Sequence, residues 1–221
     1  MMMSETGTRP ALYEQIARVG SALGNGNRLG LIELLAQGPR GVVELAHAAG
    51  LQVTTTSAHL QTLRRAGLVT SDRDGTTVRY RLPGDDVLAL YGQVLDVASA
   101  HLPDVDAAAR RHLGPDDTEA VDRDELLRRV EAGEAVVLDV RPAVEYRAGH
   151  IPGAVSIPLD ELADRMRELP ADQEIVAYCR GAYCEFSHDA VRLLAADGHR
   201  ASRLVDGFVE WRLAGHALAT A

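Results

Sequence analysis

The spacing of apolar residues changes character once along this chain, and that change limits the fold more than any other feature. Up to about residue 100 the apolar residues recur every three or four positions, as in Leu12, Ile16, Val19 and Leu23, then Leu29, Ile32 and Leu35. That is the period of helices with one buried face. Beyond residue 119, short β-branched runs (135–140 and 174–178) alternate with helical stretches, the pattern of a parallel sheet covered by helices. One layer arrangement cannot serve both patterns, so two domains are expected. The segment between His101 and Glu119 reads as the junction. It holds Pro103, Gly114 and Pro115, a helical piece at 105–113, and a polar run ending at Glu119. The expected division is an all-α N-terminal domain with a β-hairpin over 1–102, a linker over 103–118, and an α/β domain over 119–221.

Charge separates along the same line. Residues 1–102 carry nine Arg and nine acidic residues, whereas residues 103–221 carry 14 Arg and 23 acidic ones, the whole net charge of −9. All 23 basic residues are Arg. The acidity therefore says little about nucleic-acid binding by the neutral half, which could gather its Arg on one face. With 46% apolar and 25% charged residues, disordered and collagenous classes are excluded. No apolar run approaches the roughly 20 residues of a membrane span. The first ten residues lack the basic start and apolar stretch of a secretion signal, so a cytoplasmic protein without a membrane partner is expected. The only two cysteines, Cys179 and Cys184, lie five apart, pointing to chemistry or burial rather than a structural disulfide.

In the N-terminal half, 11–23 and 28–36 read as helices, the second stopped by Gly38-Pro39. A short helix from Val42 ends at Gly50, and a further helix covers 54–66. Two short helices joined by a brief Gly-containing turn form a helix-turn-helix. The second of them is rich in small polar groups: Thr54, Thr55, Thr56, Ser57, His59, Gln61 and Thr62. Leu60 and Leu63 remain as its buried stripe. Such a face suits contacts to phosphates and base edges, although a polar run can also be merely a solvated surface. Thr54, Thr55, Ser57, His59 and Gln61 are the candidate DNA contacts. Residues 68–82 read as a hairpin turning at Asp74-Gly75, with Arg73 and Arg79 placed to meet phosphates. A last helix over 85–102 is too apolar for one small domain to cover, so it is expected to pair with a second copy.

Asn27-Arg28-Leu29 with Ile32 and Leu35, Glu44-Leu45-Ala46, and Thr54 through Leu60 to Val69 resemble the ArsR family of winged-helix repressors over about residues 11–102. The resemblance implies a homodimer, through the first and last helices of the domain, on double-stranded operator DNA, released when an effector binds. The family's metal-sensing and sulfide-sensing members use Cys, Asp or His sets in these helices. Here no Cys precedes Cys179, and His47, His101 and His112 have no ligand spacing. No metal and no cofactor are expected, and the sensor is expected elsewhere.

In the C-terminal half, Cys179 directly follows the apolar strand 175–178, at the strand end where parallel sheets place functional groups. The loop residues Arg180, Gly181, Ala182, Tyr183, Cys184 and Glu185 then lead to a helix expected over 188–196. Loop amides, a helix N-terminus and the charge of Arg180 would favour a thiolate and bind an anion. A thiolate here would be a nucleophile. A buried, inert Cys is the alternative. Cys184 reads equally well as a resolving thiol or as a packed residue.

Residues 138–146 (Leu138-Asp139 through Tyr146), Gly149-His150-Ile151-Pro152-Gly153-Ala154, Tyr178-Cys179-Arg180-Gly181 and Asp206-Gly207-Phe208 with Trp211 resemble a single-domain rhodanese over about residues 119–219. The resemblance implies sulfur transfer through a persulfide on Cys179, with Asp139, Arg141 and Glu145 as supporting charges, Arg141 in ion pairs, and His150 structural. The loop departs from the family pattern. Cys184 stands where a basic residue often ends the loop, and two extra residues are expected before the helix. Phosphatase relatives end a longer loop in Arg, which is missing here.

Three functions compete. The first is a repressor whose rhodanese domain senses a sulfur donor or another thiol-reactive oxidant through Cys179, with Cys184 resolving. The second is a sulfurtransferase tethered to a DNA-binding domain. The third is a recruiting module without chemistry. The first is preferred, because the DNA-binding half shows no effector site and both thiols share one loop. Any coupling is expected to run through 103–115.

Overall fold

The structure is a computed structural model describing residues 8–115 and 117–221, without the side chains of Thr8 and Asp74. The first seven residues and position 116 of the expected linker lie outside the described residues. The chain forms two units, Met1–Tyr91 and Gly92–Ala221. The division falls inside a helix, eleven residues before the boundary expected from the sequence.

The N-terminal unit contains α1 (Thr8–Leu23), α2 (Gly26–Ala36), β1 (Arg40–Gly41), α3 (Val42–Ala48), α4 (Val53–Arg65), β2 (Thr70–Asp74), β3 (Thr77–Arg81) and the start of α5 (Asp85–His101). Asn25 caps α2, its side chain accepting from the Arg28 amide at 3.2 Å, so α2 starts two residues earlier than expected. Gly50, at φ +63°, takes the left-handed conformation that lets the chain turn sharply between α3 and α4. The core is Leu31, Ile32, Leu45, Leu60, Leu63 and Leu88, each fully buried. Each contributes about 1.5–3 kcal/mol by burial.

Two details of the wing differ from expectation. Asp74 pairs with Thr77, so the two-residue turn is Gly75-Thr76 rather than Asp74-Gly75. Gly75 supplies the positive φ, +61°, at the first turn position, where only Gly is comfortable. A third strand, β1, pairs with β3 and completes a sheet ordered β1-β3-β2. Two residues are too few to give a period, so β1 left no signal in the sequence.

The C-terminal unit holds the rest of α5, then α6 (Pro103–Leu113), β4 (Ala120–Val121), α7 (Arg123–Glu131), β5 (Ala135–Asp139), α8 (Ala143–Ala148), β6 (Val155–Ser156), α9 (Leu159–Arg165), β7 (Glu174–Tyr178), α10 (Glu185–Ala196), β8 (Ala201–Leu204) and α11 (Phe208–Leu213). All five strands are parallel, in the order β4-β8-β7-β5-β6. Both faces of the sheet are covered, which is why its strands are apolar on both sides. Along β7 the side chains alternate: Val176 and Tyr178 join Leu126, Phe208 and Trp211 on one face. Ile175 and Ala177 join Leu162, Val191 and Leu194 on the other, and Cys179 continues that second row.

The expected linker is partly built into this unit. Arg192 of α10 donates to the carbonyls of Leu113 and Pro115 at 3.3 and 2.9 Å and pairs with Asp117 at 3.0 Å.

Candidate functional site

Three chain segments meet at the carboxyl edge of the parallel sheet: those following β5, β7 and β8. Parallel strands all end on one edge, so residues far apart in sequence converge there. Cys179 leaves β7 at this edge and is buried, at 1% exposure. Its carbonyl accepts from Phe208 N–H at 2.9 Å, and the Arg180 carbonyl accepts from Val209 N–H at 3.0 Å. The first turn of α11 thus holds the back of the loop. Gly207 is needed for this approach, since a Cβ there would overlap the backbone of Arg180 and Gly181.

The loop is shorter than expected. Cys184 is the N-cap of α10, which starts at Glu185 and not at 188. The loop therefore spans the six residues Cys179–Cys184 without the two extra ones inferred from sequence. Glu185 belongs to the helix rather than the loop and faces His112 at 3.6 Å. Ser187, a favoured capping residue, misdirected the boundary: it lies buried in the first turn, its hydroxyl 3.5 Å from the Cys184 carbonyl. Cys179 and Cys184 are joined by a disulfide, with Cα atoms 6.1 Å apart, inside the range such a bond tolerates. The sequence pointed away from a structural disulfide, and the structure joins the pair within the candidate reactive loop itself.

One charge beside the loop is used differently from expectation. The Arg180 guanidinium binds the fully buried carboxylate of Glu145 through contacts of 2.7–3.1 Å and lies 5.3 Å from the Phe186 ring. Arg141 and Asp139 form a buried pair, with guanidinium–carboxylate contacts of 2.6–3.2 Å. Arg141 also donates to the Gly149 carbonyl at 2.8 Å and sits 4.1 Å above the Phe208 ring. Burial opposes its charge, but Asp139 outweighs burial and holds the guanidinium firmly protonated. The Tyr178 hydroxyl donates to Asp139 and accepts from Ile151 N–H. Burial, then the charge of Asp139, raises its pKa, so it remains a donor. His150 is buried, stacked on Tyr146 at 3.7 Å and bonded through its backbone to Ala219 in both directions.

A group the sequence reading missed is Glu210. One of its carboxylate oxygens accepts from Gly207 N–H at 2.8 Å, and the other accepts from Ala182 N–H at 3.3 Å, within the loop. Burial raises its pKa. The Gly-x-x-Glu spacing at a helix start was a local capping signal; the bond to Ala182 is tertiary and had none.

On the Cys179 face of the sheet, Val140, Pro142, Pro158, Leu159 and Phe186, with Asp160 and Glu161, line a groove of about 470 Å³. Cys179, Cys184, Leu159 and Phe186 belong to one apolar cluster. Among the described residues, no group of three or more His, Cys, Asp and Glu is placed to hold a metal ion.

In the N-terminal unit, Thr54, Thr55 and Gln61 of α4 are exposed, and Ser57 and His59 are half-buried. Thr56 faces the core, its hydroxyl donating to the Gln52 carbonyl at 3.1 Å. Arg73 is exposed on the wing, whereas Arg79 donates to the Pro39 carbonyl at 2.6 Å and so braces the wing against the segment after α2. No helix among the described residues is long and apolar enough to cross a membrane.

The fold and loop define a chain that joins a winged helix-turn-helix to a rhodanese-like domain. The model of the bacterial regulatory protein arsR family matches residues 25–71, and that of the rhodanese-like domain matches residues 122–214. The chain is 54% identical to the HTH-type transcriptional regulator Rv0324 of Mycobacterium tuberculosis, over 97% of this chain and 94% of that one. It is 33% identical to a sulfurtransferase of Allochromatium vinosum, over 41% of this chain and 85% of the other. A solution structure of the homodimeric winged helix-turn-helix DNA-binding domain of Mb0332 from Mycobacterium bovis is 47% identical. It covers 47% of this chain and 95% of that one, with a TM-score of 0.43. The chain belongs to the ArsR-family HTH-type transcriptional regulators, and its C-terminal half is a rhodanese-like domain.

Proposed function

We propose that this regulator is a repressor that senses a sulfur donor or another thiol-reactive oxidant through Cys179, with Cys184 as the resolving thiol. The observation that carries the reading is the closure of Cys179 onto Cys184, the N-cap of α10. The Cys179 thiolate attacks the electrophilic atom of the donor or oxidant and displaces its leaving group. The Cys184 thiolate then attacks Cys179 Sγ, forming the disulfide and releasing the bound group in reduced form, so the two electrons lost by the thiols pass to the donor or oxidant. Opening or closing that bond changes whether the start of α10 is tied covalently to the end of β7. The exposed faces of Thr54, Thr55 and Gln61, with Ser57, His59 and Arg73, supply the contacts to double-stranded operator DNA. Leu12, Tyr13 and Ile16 on α1 and Val97 on α5 are exposed apolar residues that a second copy of the chain would cover.

The test is DNA affinity of the full chain, reduced and oxidised, on duplexes from its own promoter region. Affinity is expected to fall on oxidation of the wild type and to stay constant in Cys179→Ser. Equal affinity of both wild-type forms would refute the sensor. The likeness to a sulfurtransferase supports a second reading, an enzyme tethered to DNA. Consumption of many donor equivalents per chain, against about one for a sensor, separates the two.

A further inference from the structure

We propose that the Cys179 loop accepts uncharged sulfane-sulfur donors, such as organic trisulfides, and discriminates against anionic ones such as thiosulfate. This inference rests on the sensor reading and names its ligand class. The loop residues 179–184 include one cation, Arg180, and that charge is committed to the buried carboxylate of Glu145. The loop's last position is Cys184, a thiol. Two carboxylates adjoin this cradle: Glu185, the first residue of α10, which faces His112 at 3.6 Å, and Glu210, which accepts from the Ala182 amide. A backbone amide that could have faced a bound anion is thereby given to a carboxylate of the protein itself. The groove on the Cys179 face is lined by Val140, Pro142, Pro158, Leu159 and Phe186, three of which pack in one apolar cluster with Cys179. Its charged members, Asp160 and Glu161, are both acidic, and Glu161 is paired with Arg165 at 2.8 Å, which leaves Asp160, among the described residues, as the uncompensated charge. An anion entering there would leave water for an apolar wall and meet like charge, whereas an uncharged sulfide chain would lose little hydration and gain apolar contact.

The chemistry closes without a further reactant. The Cys179 thiolate attacks a terminal sulfur of R–S–S–S–R, forming Cys179–S–S–R and expelling R–S–S⁻. The Cys184 thiolate then attacks the Cys179 sulfur, forming the disulfide and expelling R–S⁻. The two thiols lose two electrons and two protons in total, and the trisulfide is reduced to R–S–S–H and R–S–H.

The test uses the reduced full chain and a matched pair of probes, methyl methanethiosulfonate (neutral) and 2-sulfonatoethyl methanethiosulfonate (anionic). Each rate of Cys179 modification is divided by the probe's rate with free cysteine, which removes intrinsic reactivity. Intact mass after dimethyl trisulfide and after thiosulfate provides the parallel comparison with sulfur donors. The neutral probe is expected to be favoured at least about tenfold, and the ratio is expected to shrink about threefold in Glu210→Gln and in Asp160→Asn, each lacking one nearby negative charge. Asp160 is exposed, so its variant retains the fold even where Glu210→Gln does not. A normalised anionic rate equal to the neutral one, or a ratio unmoved by both substitutions, overturns the charge argument and leaves the sensor reading standing. Failure of every probe to modify Cys179 overturns both.

Discussion

Replacing Glu145 with Gln tests the electrostatic frame of the loop most directly. Glu145 is fully buried, and the Arg180 side chain it binds is 14% exposed. Removing one member of a buried pair leaves the other charge uncompensated, which typically costs 3–5 kcal/mol. Arg180 retains some access to water, so the lower end, about 3 kcal/mol, is expected. The readout is unusually clean, because Trp211 is the chain's sole tryptophan and is buried in the C-terminal unit. Its fluorescence during urea titration reports that unit alone. With a slope of about 2 kcal/mol per molar urea, the midpoint should fall by about 1.5 M. Arg180→Met alone leaves a buried carboxylate and should also destabilise strongly. The Glu145→Met, Arg180→Met double variant should be more stable than either single one, since two packed apolar side chains replace the pair. A shift below about 0.5 M for Glu145→Gln, or additive effects in the double variant, would show that Arg180 is not held as described.

Three further outcomes follow from the geometry. Gly207→Ala should destabilise the same fluorescence transition by about 3 kcal/mol, the upper end for overpacking because the obstruction is backbone, and should slow Cys179 modification; an unchanged midpoint would contradict the close approach. The raised pKa of Glu210 means that the folded chain holds its proton to higher pH than the unfolded one, so this group's contribution worsens as pH rises above its ordinary value of 4.5. The stability of Glu210→Gln relative to wild type should therefore improve with rising pH, and a constant difference would refute the assignment. Arg73→Ala should lower the slope of log affinity against log salt by about one on any duplex; an unchanged slope removes Arg73 from the phosphate contacts.

The two-unit architecture was legible because helix and strand periods differ sharply, and each half repeats its own period several times. Helix α4 was legible for the same reason, except that Thr56 faces inward: a β-branched residue with a hydroxyl can satisfy itself on the preceding turn, so polarity alone did not mark exposure. Short-range details failed where two local signals competed. Ser187 looked like a cap, but Cys184, which has no capping side chain, starts α10 because the chain leaves β7 through a tight six-residue loop. Asp74-Gly75 looked like the turn, but strand pairing moved it one residue along. The family resemblance marked Asp139, Arg141 and Glu145 as supporting charges, but the long-range partners of the loop had no local signal. Glu145 and Arg180 are 35 positions apart and Ala182 and Glu210 are 28 apart, and nothing in either neighbourhood announces the other.

Arg192 bears on how the chain divides. Residues 103–118 read as a spacer, yet this side chain gathers two of their carbonyls and one of their carboxylates onto α10. A rhodanese-like fragment excised at Glu119 would begin close to where the family match begins and would strip Arg192 of all three acceptors. Part of the connector is thus held by the rhodanese-like unit, so a fragment meant to behave like the intact protein has to be cut before Pro103, upstream of the boundary that homology alone would draw.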